Sequence, residues 1–190
     1  MKLAHPCRAG KPPAYTPRRV EELTSPLLAK AFALWQNSAA GTSCPPPASG
    51  FDIVDYRQVV ACINLIEVRR PPLDFVFRVY AQSAADCTGR DMTGRSVRDF
   101  PDPGYGGFLR EVCRRAARES RAQVVIEDVL VWRPQTRYDC SCRWEALVLP
   151  LSGPAGPDGP DGGDGPDGGA VPDGAAVTRL VFAFDLQPLL

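Results

Sequence analysis

The stretch from Asp74 to Phe100, DFVFRVYAQSAADCTGRDMTGRSVRDF, restricts the possible folds more than any other part of the chain. Phe75, Phe77 and Val79 alternate with Val76, Arg78 and Tyr80, so it opens as a strand with one strongly apolar face. Gln82–Cys87 follow as a polar, alanine-bearing segment of one or two helical turns. Gly89 then stops that helix, because glycine takes a positive φ without steric cost. Thr93-Gly94 makes a second turn, and Thr93 is placed to cap a short helix over Arg95–Phe100. Strand, short helix, glycine, short helix is an unusual order, since most strands return through a tight hairpin or a full crossover helix.

The flanking sequence supplies the rest of a sheet. Residues 1–23 are rich in Pro, Lys and Arg and read as a flexible arm. Ser25-Pro26 starts a helix, with Leu27, Leu28, Ala31, Leu34 and Trp35 on one face and Gly41 at its end. Asp52–Val60 reads as a short helix with Ile53, Tyr56, Val59 and Val60 on one side, and Ile63–Val68 as the first strand. After a loop at 101–104, a helix is expected over Gly107–Ser120, with Phe108, Leu109, Val112, Cys113 and Ala116 as its stripe. Glu111 and Arg115 on its wet face are spaced to pair. Three strands close the chain: Ala122–Trp132, Tyr138–Leu151 and Val177–Leu186. In the second, Tyr138, Cys140, Cys142, Trp144, Ala146 and Val148 alternate with Asp139, Ser141, Arg143 and Glu145, the pattern of a half-buried strand.

Residues 152–176, rich in Gly, Pro and Asp, interrupt the last two strands and have almost nothing to bury. The assignment survives them, because closing a longer loop costs only about 0.6 kcal/mol per doubling of its length. Residues 24–190 are thus expected to form one α+β domain: a five-stranded antiparallel sheet with helices on one face and an N-terminal helix.

With 190 residues, a core of modest size is within reach. The 22 basic and 22 acidic residues cancel, which argues against bulk attraction to nucleic acid or anionic lipid. No apolar run reaches membrane-spanning length, and the basic start lacks the apolar core of an export signal, so a cytoplasmic protein is expected. The seven cysteines are odd in number and scattered, unlike a disulfide framework.

The organising stretch resembles the PAS domain family. It is most similar to a bacterial branch of single-domain PAS proteins in which a strand precedes a GRDxTGR signature. Here Phe77-Arg78-Val79-Tyr80 precedes Gly89-Arg90-Asp91-Met92-Thr93-Gly94-Arg95. The branch usually has glycine after the strand, and Ala81 stands there instead, which implies a differently shaped turn. By order of elements the resemblance covers 27–150 and 177–187, and Trp144–Leu151 looks like the family's penultimate strand. It implies a pocket between the concave sheet face and the helices after the second strand, and the expected fold as a whole stands on residues 75–80 lying beside the terminal strand within one antiparallel sheet. By order, Cys87, Met92, Phe108, Val112, Trp132, Cys142 and Trp144 would line that pocket. A filled core is the competing reading, since none of them is charged. The resemblance also implies a leading helix that packs on the outer sheet face or on a second copy. Leu27, Leu28, Ala31 and Trp35 are therefore candidates for a dimer or partner face, and covering the domain's own sheet is the plainer alternative.

Catalytic patterns are absent. His5, the only histidine, sits in the arm, and there is no GxSxG, HExxH, P-loop or GxGxxG. Gly104-Tyr105-Gly106-Gly107 reads as a turn before a helix. Cys140 and Cys142 share a strand face but lack a matching second pair for zinc, so no metal is expected. Asp158, Asp161, Asp164, Asp167 and Asp173 miss the calcium-loop spacing. Arg110, Arg114, Arg115 and Arg118 form a basic face interleaved with acids, better suited to solvent or protein than to nucleic acid. The cofactor is left open: the reactive cysteine of flavin-binding PAS domains has no counterpart over Gly89–Arg95, and haem would want a buried histidine.

The resulting expectation is a non-catalytic PAS-type sensory or protein-interaction domain in bacterial signal transduction, without its own output domain. Its partners would be a kinase or regulator, a second copy in a homodimer, and a small-molecule ligand, with no nucleic acid and no membrane. The alternative is a small cone-shaped enzyme or ligand-binding protein of ketosteroid-isomerase-like type, using Glu127, Asp128 or Glu145.

Overall fold

A computed structural model describes residues 15–39, 45–100, 102–133, 138–153 and 176–188, excluding the side chains of 128–133, 138–141 and 188. Helix α1 is Pro26–Ser38, strands β1 and β2 are Ile63–Arg69 and Asp74–Val79, and helices α2 and α3 are Gln82–Thr88 and Pro103–Glu119. The closing strands are β3 Gln123–Arg133, β4 Tyr138–Ser152 and β5 Val177–Pro188. They form one five-stranded antiparallel sheet in the order β2-β1-β5-β4-β3. The α+β architecture expected from the sequence is therefore the one observed.

The expected placement of residues 75–80 beside the terminal strand is not observed. β1 lies between β2 and β5. The burial pattern explains the exchange: β1 buries Ile63 toward one face and Ile66 toward the other, as an interior strand must. β2 ends in exposed Arg78 and Val79 and takes the edge. That edge is covered by the GRDMTGR signature and the residues just after it. The Gly94 amide donates to the Phe77 carbonyl at 2.7 Å, and the Phe77 amide donates to the Arg95 carbonyl at 3.0 Å. Asp91 accepts from the Thr93 amide at 2.8 Å, and Gly89 and Gly94 stand at φ 68° and 76°. The signature is turn chemistry that folds the chain back along an otherwise open edge.

Two apolar clusters sandwich the sheet. α2, α3 and the 3₁₀ turn Val97–Asp99 cover one face; α1 and the Phe51–Ile63 segment cover the other. Helices therefore lie on both faces, and β4 is buried on both: Trp144, Ala146 and Val148 face α3, and Leu147, Leu149 and Leu151 face α1.

Several local expectations change. Asp52–Val60 is a run of turns, because Asp52 accepts from the Val54 amide and the backbone closes in i to i+3 bonds. Only Tyr56 and Val59 of its proposed stripe are buried. The Arg95–Phe100 helix contracts to one 3₁₀ turn capped by Ser96, not Thr93. α1 ends at Ser38, before Gly41. α3 begins four residues early, at Pro103, with Asp102 as cap, so Gly104, Gly106 and Gly107 lie inside it. Glu111 pairs with Arg114 at 2.9 Å, and Arg115 with Glu119 at 3.1 Å.

The arm is docked from Tyr15 onward. The Tyr15 hydroxyl donates to Gln123 Oε1 at 3.0 Å and to the Val124 carbonyl at 3.2 Å, on edge strand β3. Its ring meets Phe108 edge-on, and the Arg115 guanidinium lies 5.5 Å from its centre.

Candidate ligand cavity and the clasp behind it

A cavity of about 70 Å³ lies between the sheet and α2, the Val97–Asp99 turn and α3. Ile66, Phe77, Trp144, Phe182 and Phe184 supply the sheet wall. Ala84, Cys87 and Thr88 come from α2, and Tyr105, Leu109 and Cys113 from α3. The aromatic rings form a connected wall. Phe100 meets Tyr105 at 4.8 Å between centres, Tyr105 meets Trp144 at 5.7 Å, and Trp144 meets Phe182 at 6.5 Å.

Asn64, Tyr80, Thr88 and Asp102 on this wall are already engaged. Asn64, buried on β1, accepts from the Ala81 amide at 2.8 Å and donates to the Phe182 carbonyl at 3.4 Å. Ala81 stands at φ −60°, so glycine is not required there. The Tyr80 hydroxyl lies 3.3 Å from Thr88 Oγ1, and burial pushes the phenol up to about 12 despite that bond. Burial alone pushes the Cys113 thiol up to about 12. Asp102 is the one carboxylate on the wall among the described residues, and its Oδ1 accepts from the Tyr105 amide at 3.0 Å as the cap of α3.

Of the seven residues expected to line a pocket, Cys87 and Trp144 do. Met92, Phe108 and Val112 belong to the packed core around it, fully or nearly buried, rather than to its wall. Cys142 is buried but does not reach the cavity. The Trp132 and Cys140 side chains, His5 and the loop aspartates lie outside the described residues. Among the described residues, no group of three or more His, Cys, Asp or Glu is placed to hold a metal, and no helix is long and apolar enough to cross a membrane.

On the opposite face, α1 spends its stripe on its own sheet. Leu28 is 1 % exposed, Ala31 0 % and Trp35 5 %, while Leu27 is half-buried. The Trp35 indole donates to the Pro150 carbonyl at 2.8 Å. Three of the four candidate dimer-face residues are therefore inaccessible while α1 stays docked.

What holds α1 is a clasp absent from the sequence reading. Glu145, expected on a wet strand face, is 0 % exposed. Its carboxylate accepts from the Thr24 and Ser25 amides, both at 2.9 Å, from the Thr24 hydroxyl at 2.7 Å and from Arg143 at 2.8 Å. Burial pushes this carboxyl upward, but the Ser25, Thr24 and Arg143 donors outweigh it and hold it below its ordinary value. The Ser25 hydroxyl accepts from the Leu28 amide as N-cap and donates to Asp185 at 2.7 Å, and Asp185 pairs with Glu145 across β5 and β4. A charged residue in the apolar run WEALVLPL was the available signal for this site. Glu145 thus lies on the face away from the cavity.

Comparison with protein-family models, with curated proteins and with solved structures found no match for this chain.

Proposed function

We propose that the protein is a non-catalytic sensory domain of the PAS type. It holds a small molecule in the cavity and reports its presence to a kinase or regulator through the docking of α1. The carrying observation is the back-to-back placement of cavity wall and clasp. Trp144 and Leu186 line the cavity and pair across β4 and β5, and the next pair, Glu145 and Asp185, grips the start of α1. A guest that shifts Trp144 displaces the backbone carrying Glu145. The output is a population shift between docked and released α1, which requires a guest that favours one of the two. Two strands, then helices, then three strands is also the order that the PAS resemblance implies, and the resemblance supplies the bacterial signalling setting.

Release of α1 uncovers Leu147, Leu149, Leu151 and Val181, a surface for a second copy or a partner. Substituting Leu28→Glu and Trp35→Glu tests this. The expected result is a changed solution mass or partner binding, with the sheet still folded by circular dichroism. Unchanged mass and unchanged partners would make α1 a simple lid.

A further inference from the structure

Resting on the sensory reading above, we infer that the guest of the cavity is a small, uncharged, apolar molecule, no larger than a single ring. Size is the first constraint. The cavity holds about 70 Å³, and a cavity of about 150 Å³ lined by aliphatic and aromatic side chains is known to take benzene or xenon. Xenon-sized guests enter the cavity as it stands, and a six-membered ring enters only if the wall yields.

Charge is the second constraint. A buried ion needs a partner, and among the described residues no lysine, arginine or histidine lines the wall to serve an anion. A cation would have to use Asp102, whose carboxylate already accepts from the Tyr105 amide. Polar ligands fare little better, because Asn64, Tyr80 and Thr88 already bond to protein groups. What remains is contact with rings and thiols: Trp144, Phe182, Tyr105, Leu109 and Cys113. Such surfaces reward shape and dispersion more than hydrogen bonding.

The test titrates the whole chain with xenon and with three singly substituted benzene rings: toluene, benzoate and benzylammonium. Amide shifts near Leu109 and Cys113 are followed by NMR. Xenon and toluene should bind, toluene the more weakly of the two, and both charged rings at least about ten-fold more weakly than toluene. Leu109→Ala should enlarge the cavity and tighten toluene, and Ala84→Leu should fill it and abolish xenon binding. Should Ala84→Leu fail to fold, Cys87→Leu fills the same space from a partly exposed position. Benzoate or benzylammonium binding as tightly as toluene would overturn the uncharged class while leaving a ligand cavity intact. No binding of any guest, in the parent and in Leu109→Ala alike, would overturn the sensory reading as well.

Discussion

Trp144 and Glu145 are successive residues of β4 that serve opposite faces of the sheet. The indole forms cavity wall against Tyr105 and Phe182, and the carboxylate, wholly buried, accepts from the amides that open α1. A period-2 strand makes this unavoidable: one residue step carries a side chain through the sheet. The two sites are therefore separated by one backbone thickness, with rigid strand pairing on both sides.

The clasp should make α1 docking acid-sensitive. Glu145 is held below its ordinary value of 4.5 in the folded chain. A carboxyl depressed on folding stabilises the folded state above its unfolded pKa, and that stabilisation is lost as pH falls through the folded pKa. Docking should be full at neutral pH and decline on acidification below about 4.5. Glu145→Gln should flatten that decline and weaken docking at pH 7, by about 1–3 kcal/mol for the unmatched buried amides. The chemical shift of the Trp35 indole N–H followed by NMR against pH measures both.

Trp35→Phe removes the bond to the Pro150 carbonyl while keeping a ring against the sheet. The expected loss is about 1–2 kcal/mol in urea unfolding. Leu28→Ala, at a fully buried position, should cost more, about 2–4 kcal/mol.

Asn64 ties β1 to the start of α2 and to β5. Asn64→Leu keeps the volume but strands the Ala81 amide, so stability should fall by about 1–3 kcal/mol. Hydrogen exchange at Ala81 should quicken more than exchange in α3.

Gly94 sits at φ 76° with open space where a Cβ would stand, so its constraint is conformational only. Gly94→Ala should destabilise by about 1–2 kcal/mol and Gly94→Asn by less, since asparagine tolerates the left-handed region. Equal losses in chemical denaturation would point to packing instead.

Elements set by local signals were legible in the sequence. The strand at Phe75–Val79, the Ser25-Pro26 start and the stripe Phe108–Ala116 are each observed, because period and capping act within a few residues, although Val79 is exposed and Val76 buried against the expected alternation. The start of α3 was hidden by its glycines. Gly106 is in the helix because a Cβ there would come within 3.0 Å of Phe100 Cβ and of the Val97 carbonyl, a close approach set by packing. Glu145 was misread for a similar reason. Alternation assigned it to water, but its Ser25 donor lies 120 positions away in sequence. The cavity was half legible: order of elements found the face that carries Trp144 and Cys87, yet it could not separate wall from the core behind it, where Met92 and Val112 lie.

The most direct test of the account is hydrogen exchange of the Trp35 indole and the α1 amides, measured with and without xenon in the cavity. Binding is monitored in the same spectra at Cys113. Cavity occupancy should change the protection of Trp35 and Leu28 several-fold while β1 and β5 amides hold steady. Xenon bound at Cys113 with α1 protection unchanged would contradict the coupling of the two faces.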